Sequence, residues 1–204
     1  MSYSKNEIRE RIQLYLINHD RNEKLLKEVP YREFLDLAVV YRLLTINEEG
    51  ENLETISRQQ LDELGMTEEE LYQAAMENMK SDVKILTFGN ANNVINAANE
   101  ILEISLVDSI ACVSNSETYK GAGMMLNTEL MSAFAEHFES DVLILPSSIH
   151  ELMVVMYTGD IEQIKYLKQA VEYANRTPDL LSPNDFLSDN VYFFNRKTQE
   201  ILIA

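Results

Sequence analysis

Between Phe34 and Ile46 apolar side chains fall on both parities of the chain, with Val39, Val40 and Tyr41 at the centre. A strand with one wet face alternates apolar and polar residues. A strand covered on both faces does not, and this run reads as the second kind. It therefore commits part of the chain to a sheet with material packed against it. Asn47-Glu48-Glu49-Gly50 is a turn, and Asn52 to Ile56 is the returning arm of a hairpin.

Around that strand the pattern is helical. Ile8, Ile12, Tyr15 and Leu16 fall at i, i+4, i+7 and i+8, one apolar stripe of a 3.6-residue period. Asp20 and Glu23 fit the cap of a second short helix that ends before Pro30. Residues 5–28 are thus expected to form a helical N-terminal element. Ser57 caps a helix from Arg58 to Leu64, which Gly65 stops. Thr67 with Glu70 is a capping box that opens a helix to about Met79, and the acidic triplet Glu68-Glu69-Glu70 suits the positive end of its dipole.

The remainder alternates strands and helices. Strands are expected at Val83–Phe88, Val107–Ser114, Ala122–Leu126, Asp141–Leu145 and Leu152–Tyr157. Helical stripes run through Val94, Ala98 and Ile101, through Thr128–Phe138 and through Ile161–Ala174. Ser182 with Pro183 starts a short helix over 184–187, and a hairpin closes the chain from Val191 to Phe194 and from Glu200 to Ile203. The expected architecture is a single α+β domain over 1–204. It has a mostly antiparallel sheet of hairpin-like strand pairs with helices packed on it, the N-terminal element 5–28 among them.

Charge limits the partners. The 204 residues carry 17 Lys plus Arg against 34 Asp plus Glu, a formal net charge of -17. The excess is spread evenly, net -7 over residues 1–80 and -10 over 81–204, with no basic arm or patch. Nucleic acid and anionic membrane surfaces are repelled by such a chain. No apolar leader opens the sequence, and the uncharged stretch from Ile85 to Asn99 contains five Asn, too polar to span a bilayer. Cys112 is the single cysteine, so no internal disulfide forms, in keeping with a cytoplasmic location.

Ser147-Ser148-Ile149-His150-Glu151 is the stretch closest to catalytic chemistry. It follows the apolar strand Val142-Leu143-Ile144-Leu145 and Pro146, and its serine, imidazole and carboxylate are the groups of a hydrolytic triad. Adjacency along the chain is not convergence, and the Gly-x-Ser-x-Gly elbow is absent. Ser148 and Glu151 also have capping-box spacing, which accounts for both without a substrate. A zincin helix would need a second His at Val154, and three His with one Cys are thin stock for a transition-metal site. Consecutive carboxylates at Glu68, Glu69 and Glu70 fan out around a helix, so no metal is expected there. Cys112 sits in the apolar run Ile110-Ala111-Cys112-Val113 and reads as core, and Gly121-Ala122-Gly123 lacks the spacing of a phosphate loop. No catalytic, cofactor-binding or metal-ligating residue is therefore assigned, and no cofactor is expected. Ser147, Ser148, His150 and Glu151 stand as the catalytic candidates.

Four stretches together resemble one known family. They are Val29 to Val39, Thr67 to Tyr72, Leu145 to Glu151, and Leu187 to Tyr192, in that order. The family they resemble is the group of bacterial proteins called domain of unknown function 5688. Members often carry His where this chain has Tyr31, and often have a further N-terminal region. The resemblance thus implies a bacterial protein corresponding to the C-terminal part of longer members, and it brings no biochemical activity. On these grounds the expectation is a non-catalytic binding or regulatory module of the bacterial cytoplasm, with a protein or small molecule as partner. The rival is a serine hydrolase built on Ser147 or Ser148 with His150. The Met-rich stretches around Met124-Met125 and Met153 to Met156 also suit an oligomer interface.

Overall fold

The computed structural model describes residues 4–47, 50–87, 95–96, 110–146 and 148–204. Residues 1–81 and 82–204 form two compact units, each with its own antiparallel sheet. The α+β class holds in both.

Unit 1 runs α1 (Lys5–Arg9), β1 (Ile12–Asn18), a 3-10 turn (Asp20–Asn22), α2 (Glu23–Leu26), β2 (Tyr31–Phe34), β3 (Leu37–Asn47), β4 (Gly50–Thr55), α3 (Arg58–Leu64) and α4 (Glu68–Lys80). β3 is the axis of the sheet. β1 pairs along one edge of it, from Ile12 opposite Leu43 to Asn18 opposite Leu37. β2 and β4 share the other edge in tandem, against residues 37–40 and 42–47. Leu37, Ala38, Val39, Val40 and Tyr41 are all buried. The two-parity pattern is explained by its neighbours. Tyr15, Ile17, Ala38 and Val40 pack with Leu26 and Val29, while on the opposite face α4 lies against β1 and β3.

The helix expected across residues 12–16 is a strand, which corrects the helical element 5–28 to two short helices flanking β1. Leu14, Tyr15, Leu16 and Ile17 are buried in succession. A segment covered on both faces has no distinguishing period, so apolar residues at helical spacing fit it equally well. The two later helices are where local chemistry places them. Ser57 Oγ accepts from Gln60 N at 3.2 Å and Gln60 Oε1 accepts from Ser57 N at 2.8 Å. Thr67 and Glu70 repeat the exchange at 3.2 and 2.8 Å, and Gly65 ends α3 at φ 61°.

Unit 2 runs β5 (Val83–Thr87), β6 (Ile95–Asn96), β7 (Ile110–Asn115), a 3-10 turn (Gly121–Leu126), α5 (Thr128–His137), β8 (Val142–Leu145), β9 (Leu152–Met156), α6 (Ile161–Asn175), a 3-10 turn (Pro183–Asp185), β10 (Tyr192–Phe194) and β11 (Ile201–Ile203). The strand order is β11-β10-β8-β9-β7-β5-β6. Leu143, Leu145, Val155 and Val191 form one face of the sheet with Ile164, Leu167 and Val171 of α6. Val142, Ile144, Val154, Tyr192 and Phe194 point the other way and are fully buried; α5 and the 3-10 turn at 121–126 also pack on this sheet.

Two readings change here. Ala122–Leu126 is a 3-10 turn and not a strand; all of Gly121–Leu126 is buried, so no alternation marks it. The short helix after Ser182 is one 3-10 turn, Pro183–Asp185, with Ser182 Oγ accepting from Asn184 N. The helical stripe expected through Val94, Ala98 and Ile101 lies outside the described residues, as do the end of the strand expected at Val83–Phe88 and the start of the one expected from Val107. Ile95–Asn96, within that stripe, are extended and pair with Lys84 and Ile85.

Candidate functional site

Pro146 ends β8, since it has no N–H to continue a ladder. The chain then turns through residues 148–151 and re-enters the sheet as β9. Ser148 is 3% exposed. Its hydroxyl accepts from His150 N at 2.9 Å and donates to Glu151 Oε1 at 3.2 Å. The expected capping box is therefore corrected to a tighter turn. The serine bonds the amide two residues on, and β9 follows where a helix would have begun. Ser147 lies outside the described residues.

Besides its amide, His150 is tied at three further atoms. Its carbonyl oxygen accepts from Ser114 Oγ at 2.7 Å and from Gly121 N at 2.9 Å. Nδ1 accepts from Lys120 N at 3.2 Å. Nε2 lies 3.3 Å from Asp185 Oδ1. An imidazole nitrogen that accepts carries no hydrogen, so this arrangement places the ring proton on Nε2, facing the carboxylate. The Tyr119 ring leans over the imidazole, with centroids 5.2 Å apart.

The segment that meets His150 is shaped for it. Asn115 Oδ1 accepts from Tyr119 N at 3.1 Å and Asn115 Nδ2 donates to Tyr119 O at 3.0 Å, closing the loop on itself. Thr118 and Lys120 sit at φ 54° and 55°, in the left-handed region that non-glycine residues enter only under constraint. Gly121 has no space for a side chain. A Cβ there would stand 2.3 Å from Ser114 Oγ, 2.5 Å from Asn115 N and 2.8 Å from His150 O.

Of the sequence candidates, the fold brings Ser148 to Glu151 and to the backbone amide of His150. The His150 ring is engaged by Lys120 and Asp185, and the Ser148 hydroxyl by the turn. Asp185 is the residue that sequence reasoning passed over, lying inside the short helix expected after Ser182 and Pro183. No local signal links it to His150; only the fold does. The tightness at Gly121 comes from β7 and the 148–151 turn together. Cys112 is partly buried on β7, and burial, with a smaller contribution from the Glu151 charge, pushes its thiol up to about 11. It is not an activated nucleophile.

Unit 1 holds a second polar cluster. Arg32 Nη2 donates to Glu68 Oε2 at 2.9 Å and to Glu69 Oε2 at 2.5 Å, and its guanidinium lies over the Tyr72 ring at 3.9 Å. The buried Tyr41 hydroxyl donates to the other oxygen of Glu68. Burial above all, and then the bond to Glu68, pushes the Tyr41 phenol well up from its ordinary value. Hydrogen bonds from Arg32 and Gln73 hold the Glu69 carboxyl below the usual range. Glu68 and Glu69 are thus both engaged by the Arg32 guanidinium. Among the described residues no group of three or more His, Cys, Asp or Glu side chains is placed to hold a metal ion. Nor, among them, is any helix long and apolar enough to cross a membrane.

The comparisons with known proteins add one match. The family of unknown function DUF5688 covers residues 2–196, nearly the whole chain. The chain belongs to that family. All four stretches that carry the resemblance lie inside the matched span, which leaves out only Met1 and the end of the last hairpin, β11 included. No curated protein and no solved structure matches the chain.

Proposed function

We propose that this DUF5688 member is a non-catalytic binding or regulatory module of the bacterial cytoplasm, acting on a protein or small-molecule partner. The observation that carries the reading is the engagement of His150. A general base needs a ring nitrogen free to face its nucleophile. Here Nδ1 takes a backbone N–H and Nε2 faces Asp185, while the Ser148 hydroxyl is held by the His150 amide and Glu151. The net charge of -17 argues against nucleic acid and anionic membranes as partners.

A serine hydrolase using Ser147 or Ser148 with His150 is the second reading. The Asp185–His150 pair favours it, because a carboxylate against an imidazole is how triads orient their base. The two readings separate on one experiment. Treatment of the folded protein with a fluorophosphonate probe, followed by mass spectrometry, is expected to leave Ser147 and Ser148 unlabelled. Stoichiometric labelling that His150→Ala abolishes would establish the hydrolase and discard the binding module.

A further inference from the structure

We infer that the outer face of α6 pairs with the same face of a second copy of the chain, antiparallel, about a two-fold axis beside Gln169 and Ala170. The inference is independent of what else the module binds. Ile164, Leu167 and Val171 turn one side of the helix onto the sheet. Tyr166, Ala170 and Tyr173, at i, i+4 and i+7, line a different side. The two tyrosines are 71% and 68% exposed, whereas Val171 on the sheet side is buried. Tyrosine offers a large apolar body with a hydroxyl that can stay wet, and it is enriched at protein interfaces for that reason. Ala170 between the two rings keeps the middle of the face low, so a second helix can come close.

Charge selects the partner. Beside the tyrosines runs a second stripe, Glu162, Lys165, Gln169, Glu172 and Arg176, spaced alternately three and four residues apart. Its order along the helix is acid, base, amide, acid, base. Read from the other end it is base, acid, amide, base, acid, which is its own complement. A two-fold axis lays this stripe along the same stripe of the other copy in reverse. Glu162 then faces the second copy's Arg176, Lys165 faces its Glu172, and Tyr166 meets its Tyr173. A parallel pair would instead set acid on acid and base on base. Within one helix Lys165 Nζ lies 2.5 Å from Glu162 Oε1, and Arg176 Nη2 lies 3.2 Å from Glu172 Oε2. Each acid–base pair is thus already formed, ready to meet the reversed pair. The surroundings allow it too. Residues 161–176 carry Lys165, Lys168 and Arg176 against Glu162 and Glu172, net +1, in a chain of net charge -17. Two such chains repel one another as wholes, and a contact between copies belongs where the local charge is balanced. One helix face per copy is a small interface, so the pair should be reversible, with a dissociation constant on the order of 10 μM.

The test is sedimentation velocity of the full chain from about 1 μM to about 300 μM, a span that brackets that constant. The parent is expected to pass from monomer to dimer across it. Tyr166→Glu with Tyr173→Glu, both at exposed positions, should leave monomer throughout. Arg176→Glu alone and Glu162→Arg alone should each weaken the dimer about tenfold, because each sets like charges together at both ends of the contact. Mixed in equal amounts, the two single variants restore opposite charges at both ends, and a heterodimer should form at the concentration where the parent dimerises. A heterodimer requires both variants to be folded, so the mixing arm carries its own control. A parent that stays monomeric to about 300 μM overturns the pairing. So does a dimer that survives the loss of both tyrosines. A mixture of the two charge variants, each with the parent's circular dichroism, that associates no more tightly than either alone overturns it as well.

Discussion

The two units organise polar groups in opposite ways. In unit 1 the cluster of Arg32, Glu68, Glu69, Tyr41 and Tyr72 is made by side chains reaching one another, with Arg32 partly exposed. In unit 2 the cluster around His150 is made mostly by backbone atoms, with amides of Lys120, Gly121 and His150 and the His150 carbonyl all engaged. A long side chain can lose a partner and find water. A backbone amide fixed between two segments cannot. The second cluster should therefore have less room for added atoms than the first, although it carries fewer charges.

The most severe way to test that contrast is Gly121→Ala. The new methyl meets Asn115 N at 2.5 Å and His150 O at 2.8 Å, so backbone must move. A loss of about 3 kcal/mol of unit 2 stability is expected, at the upper end for overpacking, read from chemical denaturation. Gly65→Ala in unit 1 is the comparison, because that position has a positive φ but nothing within 4 Å of a Cβ. It should cost only about 1 kcal/mol, from backbone strain alone. Equal losses at the two glycines would erase the distinction.

Tyr41→Phe probes the best-buried contact of unit 1. Removing a hydroxyl bonded to a carboxylate should cost about 1.5–2 kcal/mol. It also predicts a pH dependence. The folded phenol is raised above its ordinary value of 10.0, so the folded state holds its proton longer than the unfolded chain does. That contribution is complete below the unfolded value and is lost as pH rises past it. Exchange protection in β3 should therefore decline as pH rises above about 10 in the parent, and by less in Tyr41→Phe.

Ser148→Ala sharpens the comparison from the other side. One hydroxyl serves the His150 amide and Glu151, and its loss should lower the denaturation midpoint by the equivalent of about 1 kcal/mol. Arg32→Lys should have the smallest effect, roughly 0.5 kcal/mol, because it keeps the charge and gives up the planar fork and the ring stacking. Its effect should shrink further in high salt, whereas that of Ser148→Ala should not.

What could be read in the sequence follows the range of the interactions. The caps at Ser57 and Thr67 are contacts between residues three apart, and both were legible. So was the break at Pro146, and so was the pairing of Ser148 with Glu151, though not its form. β1 was misread because burial on both faces removes the period that separates strand from helix. The 3-10 turn at 121–126 was misread for the same reason, being buried throughout. Arg32 on Glu68, and Asp185 and Lys120 on His150, join segments far apart in the chain. No local pattern encodes such pairs, so the partners of His150 were beyond reach even though His150 itself was singled out.

The raised thiol of Cys112 has a consequence for handling and for chemistry under oxidative stress. With a value near 11, the fraction present as thiolate at neutral pH is about one in ten thousand. Thiolate is the species that attacks alkylating agents, peroxides and disulfides, so each of these reactions is slowed. The folded chain should react with iodoacetamide at pH 7 far more slowly than the same chain in denaturant, and stay free of sulfenic acid at peroxide levels that oxidise exposed thiols. Fast alkylation of the native protein would show that β7 opens often enough to present the sulfur to solvent.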